Sequence, residues 1–402
     1  MGDLRDTTVK YLVGDVFDVM ANLPDASVDL ILTSPPFLAL RSYLPADHPD
    51  KGKEIGSEAT PAEYIDVLLR LTAEWRRLLA PHGSLVVELG DTFSVNPLLT
   101  VQRVGGSGWP LAKSLTLIPE SYRFALAYGI NPHTGTTSPA GQWRIRNVIR
   151  WVRPNPPVGA LSDKFRCGTT ELVVACTSKT RYFDLDAVRE PYAEVTLKNH
   201  NFGGSQGPKM AGRGKGGMNV ALTHAGAPPL DWWKISPQGY AGAHYAVWPS
   251  ELCVKPIKAM CPEKVCRTCG EPSRRITEPT ETYAAALGQG FNDHAADAEQ
   301  GQMQSVRDSE RGTERRNRLR DVLGADLVAD RLTTGWSDCG HDDYRPGLVL
   351  DPFAGTGTTL AVAHGHGRDA IGIDIDEKSA DLARDRVGPL FLEVTDQEVA
   401  KQ

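Results

Sequence analysis

The stretch 348–376, "LVLDPFAGTGTTLAVAHGHGRDAIGIDID", decides the fold. An apolar run, Leu348 to Leu350, ends in Asp351, passes through Gly355 and Gly357, and enters a helical pattern at Thr358. A second apolar run, "AIGI", follows and closes on Asp374. Strand, glycine loop, helix, strand and acid in that order make a parallel βαβ unit with its loop at a helix N-terminus. Glycines let a ligand approach the backbone, and an acid about twenty residues on is placed to accept hydrogen bonds from ribose hydroxyls. Phe353 stands where the dinucleotide fingerprint has its first glycine, and the GxGxxG spacing is absent. A pyrophosphate, and with it a nucleotide-dependent oxidoreductase, is therefore disfavoured. An adenosine cofactor without phosphates fits better, and S-adenosylmethionine is the common one.

The first ninety residues repeat the alternation: "VKYLVGD", a short helix near Val16 to Met20, "VDLILTS", a long helix, then "SLVVELGD". This is a parallel-sheet pattern. The long helix opens at "TPAE", where Thr60 can cap, Pro61 takes the first helical position and Glu63 can reach back. Its stripe of Tyr64, Leu68, Leu71, Trp75, Leu78 and Leu79 predicts packing on the sheet.

The strand "VDLIL" runs into "TSPPF", Thr33 to Phe37. Proline lacks the ladder N–H, so an interior strand stops there. Two prolines in series hold the backbone extended and leave the Pro35 carbonyl without a nearby amide competitor. It sits beside the Ser34 hydroxyl and the Phe37 ring, a set that suits a flat ring bearing an amino group. A bare Pro-Pro pair is most often a turn, so context has to decide. The polar loop 38–59 follows directly, at a strand end of the kind that carries sites in open α/β sheets. Asp15, in "VGD", reads equally well as a turn cap.

With 402 residues, the chain can bury a sizeable core and carry insertions. Its net charge is -6, so contact with nucleic acid needs a local basic patch. The N-terminus lacks a signal-peptide pattern, and no stretch approaches the eighteen or so apolar residues that span a bilayer, so a cytoplasmic protein without membrane contact is expected. Seven cysteines, an odd number, argue against a disulfide framework, and Cys167, Cys176 and Cys253 are expected in the core.

Further strands are expected at "WRIRNVIRWVRP" and "TELVVACTS". Beyond Pro191 the texture changes. Residues 202–217 hold seven glycines and three basic side chains, and 307–320 hold six arginines against three acids. Each reads first as a solvated loop. "CRTCG" at 266–270 and "DCGHDD" at 338–343 supply Cys266, Cys269, Cys339 and His341, a sufficient tetrahedral set for structural zinc, with Cys261 a rival ligand. A redox pair, disfavoured in this context, and unconnected surface thiols are the alternative readings.

"TSPPF" paired with "DPFAGTGTT" resembles the amino-methyltransferases of DNA, and the order of the two motifs matches the permuted β class. The resemblance covers most of the chain and is weak over 194–230 and 270–335. It implies transfer of methyl from S-adenosylmethionine to an exocyclic amine of a base flipped out of double-stranded DNA. Ser34, Pro35, Pro36 and Phe37 would then be catalytic, with Ser34 and the Pro35 carbonyl accepting the amine's hydrogens and Phe37 stacking on the base. Asp15, Thr33, His244, Pro249, Leu252, Asp351, Pro352, Phe353, Ala354, Gly355, Gly357, Thr358, Thr359 and Asp374 would hold the cofactor. Trp151, Asn155 and Pro156 would help build the base pocket. Serine before Pro-Pro marks the N4-cytosine branch and aspartate the N6-adenine branch, so N4-cytosine is expected, with N6-adenine the alternative. A non-catalytic nucleic-acid-binding protein of the same fold is disfavoured by the intact motifs. A cognate restriction endonuclease and a homodimer stay open as partners.

The expected organisation is a Rossmann-like α/β sheet with helices on both faces. Residues 1–193 form its catalytic half and 347–402 its S-adenosylmethionine-binding half. Between them lie a Gly-rich segment over 194–235, a cofactor-pocket segment over 236–263, and an insertion over 264–346 with the zinc knuckle. The Gly-rich segment and the insertion, with the arginine cluster, are expected to recognise the DNA target.

Overall fold

A computed structural model describes residues 7–40, 42–95, 107–156, 163–192, 226–237, 248–281, 284, 331–388 and 391–396. The chain divides into two compact units. The first comprises Met1–Asp184, Leu230–Ser273 and Asp338–Gln402, and the second Leu185–Pro229 and Arg274–Ser337.

The first unit is built on one nine-stranded sheet. Its strands are β1 (Val9–Val13), β2 (Val28–Thr33), β3 (Leu79–Leu89), β4 (Arg144–Val152), β5 (Thr169–Cys176), β6 (Trp232–Lys234), β11 (Leu348–Asp351), β12 (Asp369–Asp374) and β13 (Leu392–Asp396). Their order is β13-β1-β12-β11-β2-β3-β5-β4-β6. The run from β13 to β3 is parallel, and β5 lies antiparallel between β3 and β4. The two halves of the chain meet where β11 pairs with β2, Val349 opposite Leu30 and Leu350 opposite Ile31. This is the topological switch point, where the crevice at the carboxyl ends of the strands opens. The motifs after β2 and β11, more than 300 residues apart in the chain, thus become neighbours.

One core gathers around α1 (Val16–Ala21), α2 (Pro61–Leu78) and α3 (Ile118–Tyr128). A second set of helices, α4 (Ser250–Met260), α5 (Thr358–Gly365) and α6 (Glu377–Val387), packs together through α5. Thr60 caps α2 through the Glu63 N–H at 3.3 Å, and the Glu63 carboxylate returns to the Ala59 N–H at 3.0 Å rather than to the cap residue. Tyr64, Leu68, Leu71, Trp75 and Leu78 are fully buried. Leu79 belongs to β3 instead, because the helix ends as the chain turns extended at that residue.

Cys176 and Cys253 are buried as expected, but Cys167 is exposed. It lies in the connection from β4 to β5, beside Gly168, whose carbonyl accepts the Arg153 N–H at 2.8 Å, and so stands outside the sheet. Strands β7 (Val265–Cys266) and β10 (Tyr344–Arg345) pair antiparallel within the first unit. The segments 264–273 and 338–346 therefore belong with the sheet, whereas the sequence suggested one insertion over 264–346. In the second unit, β8 (Arg275–Pro279) and β9 (Arg331–Trp336) form an antiparallel ribbon. Residues 202–217, the arginine cluster of 307–320 and His244 lie outside the described residues. Among the described residues, no helix is long and apolar enough to cross a membrane.

Candidate active site

The glycine loop after β11 folds onto the end of β12. The Asp374 carboxylate accepts the Gly355 N–H and the Asp376 N–H, each at 2.9 Å, and the buried Tyr11 hydroxyl donates to the Gly355 carbonyl at 2.7 Å. Burial pushes the Asp374 carboxyl up to about 6, against the pull of those two N–H groups. Gly357 has φ +72°, and a Cβ there would lie 2.9 Å from the Ala383 Cβ, so the loop enters α5 where a larger residue is strained and crowded. Asp351 sits below this surface. It accepts the Thr33 hydroxyl at 2.7 Å, the Thr359 hydroxyl at 2.6 Å and the Phe353 N–H at 3.1 Å, and burial raises its carboxyl to about 6.

At the end of β2, the Ser34 hydroxyl donates to Glu88 Oε2 at 2.5 Å. Glu88 is on β3, and burial raises its carboxyl above the ordinary range while the Ser34 hydroxyl and the Arg153 charge pull it down. With its proton engaged by Glu88, Ser34 keeps lone pairs to accept from a donor. The Tyr64 hydroxyl, on α2, donates to the Pro36 carbonyl at 2.7 Å, whereas no hydrogen bond reaches the Pro35 carbonyl among the described residues. The Phe37 ring lies against Gly90, where a Cβ would come within 2.4 Å of it, so this close approach requires glycine.

A single cleft joins the two motifs. Ser34 and Pro36 line it from β2, Pro352, Phe353 and Gly355 from the glycine loop, and Asp15 and Asp374 from the neighbouring strand ends. The loop 38–59 contributes Tyr43, Lys53, Glu54 and Ile55 to its wall. Buried Glu54 ties this loop together through the Tyr43 N–H, the Leu44 N–H and the Lys51 ammonium.

A family model for DNA methylases acting at N6 or N4 amines matches residues 28–266 and 344–385, which hold both motifs. The chain belongs to this DNA methylase family. Among its relatives, the type II methyltransferase M.SfiI of Streptomyces fimbriatus is 30% identical over 45% of this chain and 38% of its own length. The chain thus spans about two fifths of that protein. M.SmaI of Serratia marcescens is 22% identical over 94% of this chain and 90% of its own. Among solved structures, the PvuII DNA methyltransferase, described as cytosine-N4-specific, aligns at TM-score 0.48 and 14% identity, covering 94% of this chain and 86% of that one.

The methylase cleft does not gather every residue the sequence nominated. Thr33, Asp351 and Thr359 form a buried hydrogen-bonded set behind the wall. Ala354 is buried in the glycine loop and Thr358 at the start of α5, and Leu252 is buried on α4 just after Pro249. Phe37 lies beside the cleft wall, in a smaller depression with Gly90 and Ile118. Trp151 is buried, donates its indole N–H to the Ile235 carbonyl at 2.9 Å, and carries Arg153 over its ring at 5.4 Å. Asn155 is exposed and Pro156 buried, both past the end of β4. Asp15 accepts the Phe17 and Asp18 N–H groups and caps α1, so it is a helix cap that also faces the cleft. Sequence reasoning missed Glu88 and Tyr64 as site residues. Glu88 carried a signal, a lone acid inside the apolar run "SLVVELG". Tyr64 carried none, since its place on the apolar stripe already accounts for its burial.

Proposed function

We propose that the chain transfers a methyl group from S-adenosylmethionine to the exocyclic N4 amine of a cytosine flipped out of double-stranded DNA. The observation that carries this reading is the Ser34–Glu88 hydrogen bond beside the unengaged Pro35 carbonyl. An exocyclic amine conjugated into its ring is a poor nucleophile. Two fixed acceptors for its hydrogens draw the nitrogen lone pair out of the ring and aim it. When bound, S-adenosylmethionine supplies a methyl on a sulfonium, already activated for direct displacement. The N–C bond forms as the C–S bond breaks, the bonding pair staying on sulfur. The proton then in excess on the amine passes to Ser34 as Ser34 gives its own to Glu88, which burial makes a better proton acceptor than an ordinary carboxylate.

Asp374 and the loop around Gly355 would hold the adenosine, with Asp15 facing its adenine. Phe37 and Trp151 would flank the extruded base, whose extraction costs a few kcal/mol, offset by stacking. Among the described residues, the buried Arg153 Nε has no hydrogen-bond partner, and the Arg153 charge acts on Glu88, so this N–H would suit an acceptor on the base's pairing edge. Serine rather than aspartate before Pro-Pro supports cytosine over adenine.

Duplex DNA incubated with methyl-labelled S-adenosylmethionine and digested to nucleosides tests the reading. Label in N4-methylcytosine is expected. Label in N6-methyladenine transfers the chain to the other branch, and no labelled nucleoside across varied DNA sequences refutes the proposal.

A further inference from the structure

We infer that Cys266, Cys269, Cys339 and His341 bind one structural zinc ion that locks strands β7 and β10 together at the end of β2 remote from Ser34. Their ligand atoms all lie within 4.8 Å of one another. The His341 Nδ1 is 3.5 Å from the Cys266 sulfur and 3.4 Å from the Cys339 sulfur. A tetrahedral zinc ion, with metal–sulfur bonds of about 2.3 Å and metal–nitrogen bonds of about 2.0–2.1 Å, has sulfur–nitrogen edges of about 3.6 Å. The spacing is that of a closed coordination shell. Three thiols and an imidazole, with no carboxylate in the set, suit zinc and not magnesium or calcium.

The local backbone supports the same geometry. The Cys269 N–H points to the Cys266 sulfur at 3.4 Å, and the Gly270 N–H closes the turn on the Cys266 carbonyl at 3.0 Å, so both sulfurs face one side. Tyr344 donates to Asp338 at 2.8 Å and lies 3.5 Å from the Cys339 sulfur, an outer contact of the kind that orients a metal ligand. Cys261, the rival ligand, is fully buried and outside the group; its carbonyl accepts Arg368. A redox pair needs only two sulfurs and leaves the position of His341 without a reason. None of the four residues lines the cleft, and four protein ligands leave no open position, so the ion is structural.

Its place in the fold gives it a task. Tyr344 pairs with Cys266 and Arg345 with Val265, and the Arg345 guanidinium reaches both oxygens of Asp29, at 2.6 and 3.2 Å. Asp29 is fully buried at the start of β2 and also accepts from His82 and from the Leu348 N–H, the first residue of β11. The metal thus holds the arginine that neutralises a buried acid between the two central strands.

Elemental analysis of full-length protein purified without chelator should find about one zinc per chain. Cys269→Ser and Cys339→Ser should lose it, while His341→Cys, which rebuilds a four-thiolate site, should keep it. Cobalt exchanged into the wild-type protein should give the intense visible bands of a tetrahedral thiolate site, a reading that does not depend on any variant folding. Reduced wild-type protein that retains no zinc after loading and desalting, or cobalt spectra of an octahedral ion, would overturn the inference.

Discussion

The two loops that meet at the switch point are built to opposite ends. In the glycine loop after β11, backbone and side chain satisfy each other: Asp374 accepts two N–H groups, the Tyr11 hydroxyl donates to the Gly355 carbonyl, and Asp351 accepts two hydroxyls and an N–H. In the loop after β2, the Ser34 hydroxyl donates to Glu88 and keeps its lone pairs, and the Pro35 carbonyl is left unengaged among the described residues. The first arrangement holds a shape ready for a ligand. The second holds acceptors ready for hydrogens that the protein itself does not supply. Binding and chemistry should therefore come apart under mutation.

Glu88→Gln should give the largest loss among the supporting residues. The amide still accepts the Ser34 hydroxyl but cannot take its proton, so single-turnover methyl transfer should fall by roughly 100-fold. The pH profile sharpens the test. Burial raises the Glu88 carboxyl, so in the wild type the rate should fall as pH drops through that raised value, and the variant should lack this acid limb. An acid limb that survives in Glu88→Gln belongs to another group. Phe37→Ala should weaken transfer by about 10- to 100-fold through lost stacking, with S-adenosylmethionine affinity unchanged by calorimetry. Asp374→Ala should do the reverse: affinity for the cofactor should drop by about tenfold, while the rate at saturating cofactor stays close to wild type. If Phe37→Ala weakens cofactor binding as much as Asp374→Ala does, the two sides are not separable.

The cleft's two motifs were legible because each is contiguous and local physics constrains it. Prolines end a strand wherever they fall, and a glycine loop between an apolar strand and a helix has few other uses. The parallel direction of these strands then follows from the βαβ alternation, whereas their order, with β11 beside β2, does not. Glu88 was harder to read, because its partner Ser34 is 54 residues away and only the pairing of β2 with β3 brings them together. The group of Cys266, Cys269, Cys339 and His341 stood between these cases. Its two halves were visible as motifs, but the choice between Cys261 and His341 needed the β7–β10 pairing. Cys167 was misplaced because a cysteine in a chain without a disulfide framework was expected in the core, whereas its neighbours Arg166 and Gly168 belong to the connection where the chain leaves the sheet.

Ser34→Ala, measured on one preparation for both cofactor affinity and single-turnover methyl transfer, separates the two loops in one experiment. The alanine removes one acceptor and takes the Ser34 hydrogen bond from buried Glu88, without touching the glycine loop. S-adenosylmethionine affinity should be unchanged and methyl transfer reduced by roughly 100-fold or more. Transfer at near wild-type rates, or a fall explained entirely by weaker cofactor binding, would contradict this separation.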